Sequence, residues 1–251
     1  MAEKIKLALE RAYRDRKNPA TTLSELLDHA KVYEIDPQRL LDKRVIAFDE
    51  AGDHSELESY RLLRTHLLSK LESGQLSSIG ITSANTGEGK SLTALNLAIS
   101  LAKAADSNVL LVDGNVMSPS IHKLLDINPD AGLVDLLNDK AKLDEVIVRT
   151  SISNLWFVTG CDNGDSLSNQ SGWKRIKSLI QIFAASHHSI VVVDLPPVLV
   201  KEDAFSLAAH LDGIILVVEC GETTSDEVLR AQELLKQNNL IGSVLNKYSH
   251  S

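Results

Sequence analysis

One segment restricts the fold of this chain more than any other: SIGITSANTGEGKSLTALNLAISLA, residues 78–102. A short apolar run at 79–82 gives way to small and polar residues, and these to apolar residues at helical spacing. That order is strand, tight loop, helix. The loop closes on Gly87, Glu88, Gly89, Lys90 and Ser91 and matches the pattern GxxxxGK(S/T), except that Ala84 stands at the first glycine position. Glycines in such a loop let successive backbone N–H groups converge on phosphate oxygens, and the helix that follows directs the positive end of its dipole at the same charge. The residues 84–91 therefore read as a phosphate-binding loop (P-loop). Lys90 is expected to reach the β- and γ-phosphates of ATP, and Ser91 to place its hydroxyl on Mg²⁺, a cation that takes oxygen ligands. The nucleotide-binding set expected here is Asn85, Thr86, Gly87, Glu88, Gly89, Lys90, Ser91 and Leu92.

Two further segments complete the constellation. SIVVVDLPP ends a buried-strand run on Asp194, where an acid must lie to hold Mg²⁺ or a water across from the loop. VLLVDGNVMSP ends an earlier run on Asp113, with Asn115 two residues on. For either acid alone, capping of the next turn is an equally good account. Both, however, are expected at carboxyl ends of parallel strands, where open α/β sheets bind ligands. Lys90, Asp113 and Asp194 are the candidate catalytic residues, and Ser91, Asp113 and Asp194 the candidate metal ligands.

The rest of the chain agrees with such a sheet. Apolar runs at 45–48, 79–82, 109–112, 155–158, 190–193, 214–218 and 241–245 are separated mostly by helical patterns. This alternation predicts an α/β fold with a mostly parallel central sheet flanked by helices. Thr224 followed by Glu227 is a capping box opening the helical stretch to 237. An amphipathic helix is expected over 3–13, then a loosely ordered connection over 18–43 with a short helix near 23–32 and an interruption at Pro37. The expected division is an N-terminal helical arm, 1–43, and an ATP-binding domain, 44–251. A net charge of -8 argues against a nucleic-acid partner. No run approaches the roughly 18 apolar residues of a membrane span, and the charged N-terminus is unlike a secretory signal, so a cytoplasmic location is expected. Cys161 and Cys220 have neither disulfide nor metal spacing and are expected to pack; His187 and His188 form no metal motif.

With these motifs in place, the region 55–247 resembles the cytoplasmic domain of bacterial tyrosine kinases (BY-kinases) of capsular and exopolysaccharide biosynthesis, within the deviant Walker P-loop ATPases. TSANTGEGKS resembles their Walker A segment, the strand ending in Asp113 their Walker A′, and VVVDLPPVL their Walker B. SELESYRLLRT contains Glu58, Arg61 and Arg64 as ExxRxxR, the family's element for ring oligomerisation. On a helix these charges share much of one face and are placed to pair with a neighbouring subunit. Asn246, in VLNK, resembles the residue that contacts the adenine base in related ATPases. The resemblance implies a protein-tyrosine autokinase that regulates exopolysaccharide polymerisation and export. It also implies a homo-oligomeric ring and a membrane-bound chain-length regulator that recruits the protein to the inner face of the plasma membrane.

The departures bear on the chemistry. Asn115 stands where the family has the second Asp of DxD, and an amide cannot take the substrate's proton. Met117 and Ser118 replace basic residues, and the C-terminal tyrosine cluster is reduced to Tyr248, the candidate phospho-acceptor. Two other readings remain open: a non-catalytic ATP-binding scaffold, and a partition-type switch ATPase. The second would carry Lys at the loop's second position, where this chain has Asn85.

Overall fold

The computed structural model describes Leu27 and residues 30–48, 55–104, 108–160, 172–184, 189–200 and 207–248. Its strands are β1 (Lys31–Tyr33), β2 (Ser78–Ser83), β3 (Asn108–Asp113), β4 (Ile147–Thr150), β5 (Leu155–Val158), β6 (Ser189–Asp194), β7 (Gly213–Glu219) and β8 (Leu240–Asn246). They form one sheet in the order β1-β4-β5-β3-β6-β2-β7-β8. Among the described residues every pairing is parallel except β4 with β5. The helices are α1 (Pro37–Asp42), α2 (Ser55–Glu72), α3 (Lys90–Ala104), α4 (Ile121–Leu125), α5 (Leu133–Leu137), α6 (Leu143–Val146), α7 (Gly172–Ala184) and α8 (Ser225–Leu235).

A parallel sheet covered on both faces has strands apolar on both sides. Leu110, Val112, Val191 and Val193 point one way, into a cluster with Ile176, Ile180 and Phe183 of α7. Val109, Leu111, Ile190 and Val192 point the other way, onto Leu95 and Ile99 of α3, Leu57 and Leu67 of α2 and Leu40 of α1. Because side chains alternate along a strand, Asp113 and Asp194 continue the second set of rows, and they are paired in register. Both acids therefore emerge on the α3 face, at the end where α3 begins.

Three expectations need correction. Pro37 does not interrupt a connection but opens α1, where its missing N–H costs nothing, and Asp36 caps the helix by accepting from the Gln38 N–H at 2.9 Å. Residues 31–33, expected within a loose connection carrying a short helix, instead form the edge strand β1 beside β4. The run at 45–48 is a 3₁₀ turn at Ile46–Phe48 rather than a strand. Its Val45 and Ala47 are buried as a strand's would be. The Ala47 N–H, however, donates to the Asn96 Oδ1 of α3 at 2.9 Å, so a side chain takes the place of a neighbouring strand. The amphipathic helix over 3–13, Cys161, His187 and His188 lie outside the described residues.

Among the described residues no helix is long and apolar enough to cross a membrane.

Candidate functional site

The loop between β2 and α3 has the backbone its sequence demands. Gly87 and Gly89 adopt φ of 86° and 90°, a region that side chains disfavour. Gly89 is doubly required, since a Cβ there would lie 2.0 Å from the Asn246 Nδ2. Thr86 and Gly87 form the exposed crest, Lys90 is buried at the helix start, and Ser91 and Leu92 are half-buried. α3 runs for 15 residues from this point, so its N-terminal N–H groups face the loop.

Across from the loop stand the two acids. Asp194 is fully buried, and neither of its carboxylate oxygens takes part in a hydrogen bond. The Lys90 ammonium lies 3.5 Å from its Oδ1 and 2.9 Å from the Ser91 Oγ. Burial raises the Asp194 pKa above the ordinary carboxylate value, against the opposing pull of the Lys90 charge. Asp113 is also fully buried; its Oδ2 accepts from the N–H groups of Ser120 and Ile121 at 2.8 and 2.9 Å, and its Oδ1 from the Asn115 N–H at 3.3 Å. Burial, then the charge of Asp194, push Asp113 up to about 7, against the Ile121 and Ser120 donors and Lys90. Two carboxylates with raised pKa values facing one lysine are short of positive charge.

That deficit and the donor set fit Mg²⁺. Among the described residues no three His, Cys, Asp or Glu side chains gather as a metal site. Mg²⁺ is commonly held by one or two protein oxygens together with phosphates and waters. The unbonded carboxylate of Asp194 and the Ser91 hydroxyl supply such oxygens, with Asp113 behind them.

Asn115 is buried, and its amide donates to the Ser118 carbonyl at 2.9 Å, fixing the turn after β3, while Met117 is exposed. Asn246 donates its amide to the Glu88 carbonyl at 2.9 Å, which places it against the loop. Tyr248, just beyond β8, is exposed. On α2, Glu58 and Arg61 pair with each other, whereas Arg64 turns inward to the Ser100 Oγ and carbonyl of α3, at 3.3 and 3.4 Å. The three charges are thus divided between an exposed pair and an internal anchor. Sequence reasoning did not identify the contacts of the Glu88 and Asn85 side chains with Thr223 and Glu227. The Thr224–Glu227 capping box locates a helix start without naming what else Glu227 holds.

Residues 79–251 match the model of the CobQ/CobB/MinD/ParA nucleotide binding domain. The tyrosine-protein kinase YwqD of Bacillus subtilis is 30% identical over 208 residues, covering 82% of this chain and 86% of the relative. The tyrosine-protein kinase CpsD of Streptococcus pneumoniae serotype 4 is 29% identical over 193 residues, or 76% of this chain and 83% of the relative. Among crystal structures, the chimerical protein CapA2B2 superposes with a TM-score of 0.71 at 26% identity, covering 91% of this chain and 98% of that one. The fold and site define a P-loop nucleotide-binding domain, and the chain belongs to the CobQ/CobB/MinD/ParA family and, within it, to the bacterial tyrosine kinases.

Proposed function

We propose that this protein is a Mg·ATP-dependent protein-tyrosine autokinase that regulates exopolysaccharide polymerisation and export. The observation that carries the reading is the buried pair Asp113 and Asp194, facing Lys90 and Ser91 at the mouth of the phosphate loop. In this reading Lys90 and the N–H groups of residues 86–92 bind the phosphates, Asn85 shapes the loop through its N–H bond to the Glu88 Oε2, and Asn246 faces the adenine. Its Nδ2 is engaged by Glu88, leaving Oδ1 to accept from the base's amino group. Ser91, Asp113 and Asp194 hold Mg²⁺, which when bound neutralises phosphate charge and aligns the oxygens for in-line transfer. Asp113, beside the metal, takes the proton of the acceptor hydroxyl. The tyrosine oxygen forms its bond to the γ-phosphorus, the bond to the bridging oxygen breaks, and ADP leaves. Positioning by the loop supplies most of the acceleration.

We place the catalytic unit at 44–251, with β1 and α1 of the preceding segment, 1–43, built into its sheet and core, and with Tyr248 of a neighbouring copy as acceptor. The homo-oligomer contact is assigned to the outer face of α2, where Glu58 and the 60% exposed Leu62 face solvent. A membrane-bound chain-length regulator is the expected partner, bringing the protein to the inner face of the plasma membrane. Asn85 speaks against the partition-type switch: it replaces the signature Lys, and its amide is tied to Glu227 of its own chain at 2.9 Å. Asn115 favours a second reading, an ATP-binding scaffold, because its amide cannot serve as a base.

The test is incubation of the full chain with γ-labelled ATP and Mg²⁺, followed by phosphosite mapping, with Lys90→Met as control. Label on Tyr248 that disappears with Lys90→Met supports the autokinase. Tight ATP binding without labelled tyrosine, even with a cytoplasmic peptide of the membrane partner present, refutes it in favour of the scaffold.

A further inference from the structure

A buried carboxylate inside a phosphate-binding loop is an unexpected charge, since it repels the ligand the loop receives. The Glu88 side chain is such a group, at 3% exposure. Its two oxygens are divided between partners. Oε2 accepts from the Asn85 N–H at 3.0 Å, within the loop, and Oε1 from the Thr223 hydroxyl at 2.6 Å, in the turn between β7 and α8. The direction of that second bond is fixed by chemistry. A carboxylate only accepts, and the Thr223 Oγ1 already accepts from the Glu219 N–H at 3.0 Å, so its own proton points to Glu88. Two more bonds join the same regions. The Asn85 amide donates to the Glu227 Oε1 at 2.9 Å, and the Asn246 amide to the Glu88 carbonyl at 2.9 Å. Glu227 is itself fixed, because its Oε2 accepts from the N–H and hydroxyl of Thr224 at 2.9 and 2.8 Å.

The loop is therefore gripped at Asn85 and Glu88 from the β7–α8 turn, α8 and β8, on the side opposite Asp113 and Asp194. We propose that Thr223 and Glu227 are positioning residues for phosphate binding, bracing the Glu88–Asn85 arc so that the loop's N–H groups are pre-set to receive the β- and γ-phosphates. The proposal rests on the nucleotide-binding part of the function proposed above and is independent of whether phosphate reaches tyrosine. Glu88 then acts as the fixed acceptor that holds the Asn85 N–H and the loop's entry in one conformation. Its charge is held in place by hydroxyl and amide donors rather than by a cation.

Calorimetric titration of the full chain with Mg·ATP and Mg·ADP tests this. Thr223→Val keeps the shape but removes the donor, and is expected to weaken both ligands about tenfold, the loss of one hydrogen bond to a charged group. Thr223→Ser restores the donor and is expected to bind within about twofold of the parent protein. Glu88→Gln combined with Thr223→Val is expected to bind no more weakly than Glu88→Gln alone, because the two side chains form one contact. Glu227→Ala, at an exposed helix end and therefore tolerable to the fold, is expected to weaken both ligands several-fold through Asn85 and keeps the proposal testable if Thr223→Val does not fold. Unchanged affinity in Thr223→Val or Glu227→Ala, or a Thr223→Ser variant as weak as Thr223→Val, overturns the brace. If the parent protein itself binds neither nucleotide, the nucleotide-binding reading falls and the brace with it. A parent that binds beside an equally tight Thr223→Val removes the brace alone.

Discussion

Asp113→Asn is expected to stabilise the nucleotide-free protein at alkaline pH while impairing its site. Asp113 has its pKa raised from 3.8 to about 7 by burial and by the charge of Asp194. The sign follows from proton linkage. In the folded state the carboxyl keeps its proton up to about pH 7, whereas the unfolded chain releases it near the ordinary carboxylate value. Folding therefore loses stability from this group as pH rises from about 4 to 7, and the full cost remains at higher pH. Each unit is worth about 1.4 kcal/mol, so the cost reaches about 4 kcal/mol at pH 8 and is under about 2 kcal/mol at pH 5. An Asn in this place keeps one oxygen for the Ser120 and Ile121 N–H groups and gives up the longer contact to Asn115, at about 1 kcal/mol. The stabilisation by Asp113→Asn should thus grow by about 3 kcal/mol between pH 5 and pH 8, which for a chain of this size is about 8 °C in Tm. Thermal melts of both proteins at the two pH values, with a chelator present, measure it. An equal Tm difference at both pH values, or a variant less stable than the parent at pH 8, would refute the assignment of a buried, charge-starved carboxyl.

Three further outcomes follow from the geometry. Leu40→Ala empties a fully buried position where α1 meets the α3-side core, and should lower unfolding free energy by about 3 kcal/mol in urea titrations, at unchanged m-value. Asn115→Asp should raise autophosphorylation at least several-fold over the parent in the γ-phosphate labelling assay; no rise would remove Asn115 as the weak point of the chemistry. Arg61→Glu sets a like charge against Glu58 on the exposed face of α2 and should shift the protein toward monomer in sedimentation velocity, with thermal stability changed by no more than about 1 kcal/mol.

The central strands were legible because burial on both faces leaves uninterrupted apolar runs, and six of the seven runs proposed from sequence correspond to β2, β3, β5, β6, β7 and β8. The seventh, at 45–48, has the burial of a strand but its backbone is satisfied by Asn96, a contact 49 residues away that no local pattern carries. β1 is three residues at the sheet's edge with exposed Lys31 and Val32, too short and too wet for an alternation to register. β4 follows α6 without a break, so the helical pattern of Leu143–Val146 ran over it. At the site, Lys90, Asp113 and Asp194 were readable because strand ends and the glycine loop fix their positions from nearby sequence. The partners of Glu88 were not, since Thr223 and Asn246 reach it only through the sheet order.

That long reach also sets when the site can exist during synthesis. The loop at 84–91 is made early, but β2 is flanked by β6 and β7, and the loop's side-chain contacts come from residues 135 to 158 positions downstream. A ribosome-bound chain that has released only its first half carries Lys90 and Ser91 without Asp194, without both sheet neighbours and without the contacts from Thr223 and Asn246. Nucleotide stabilises only what it binds, so cellular ATP offers the nascent chain no protection until the residues through Asn246 have emerged. Until then the unpaired edges and apolar faces of β2 must be shielded by other means.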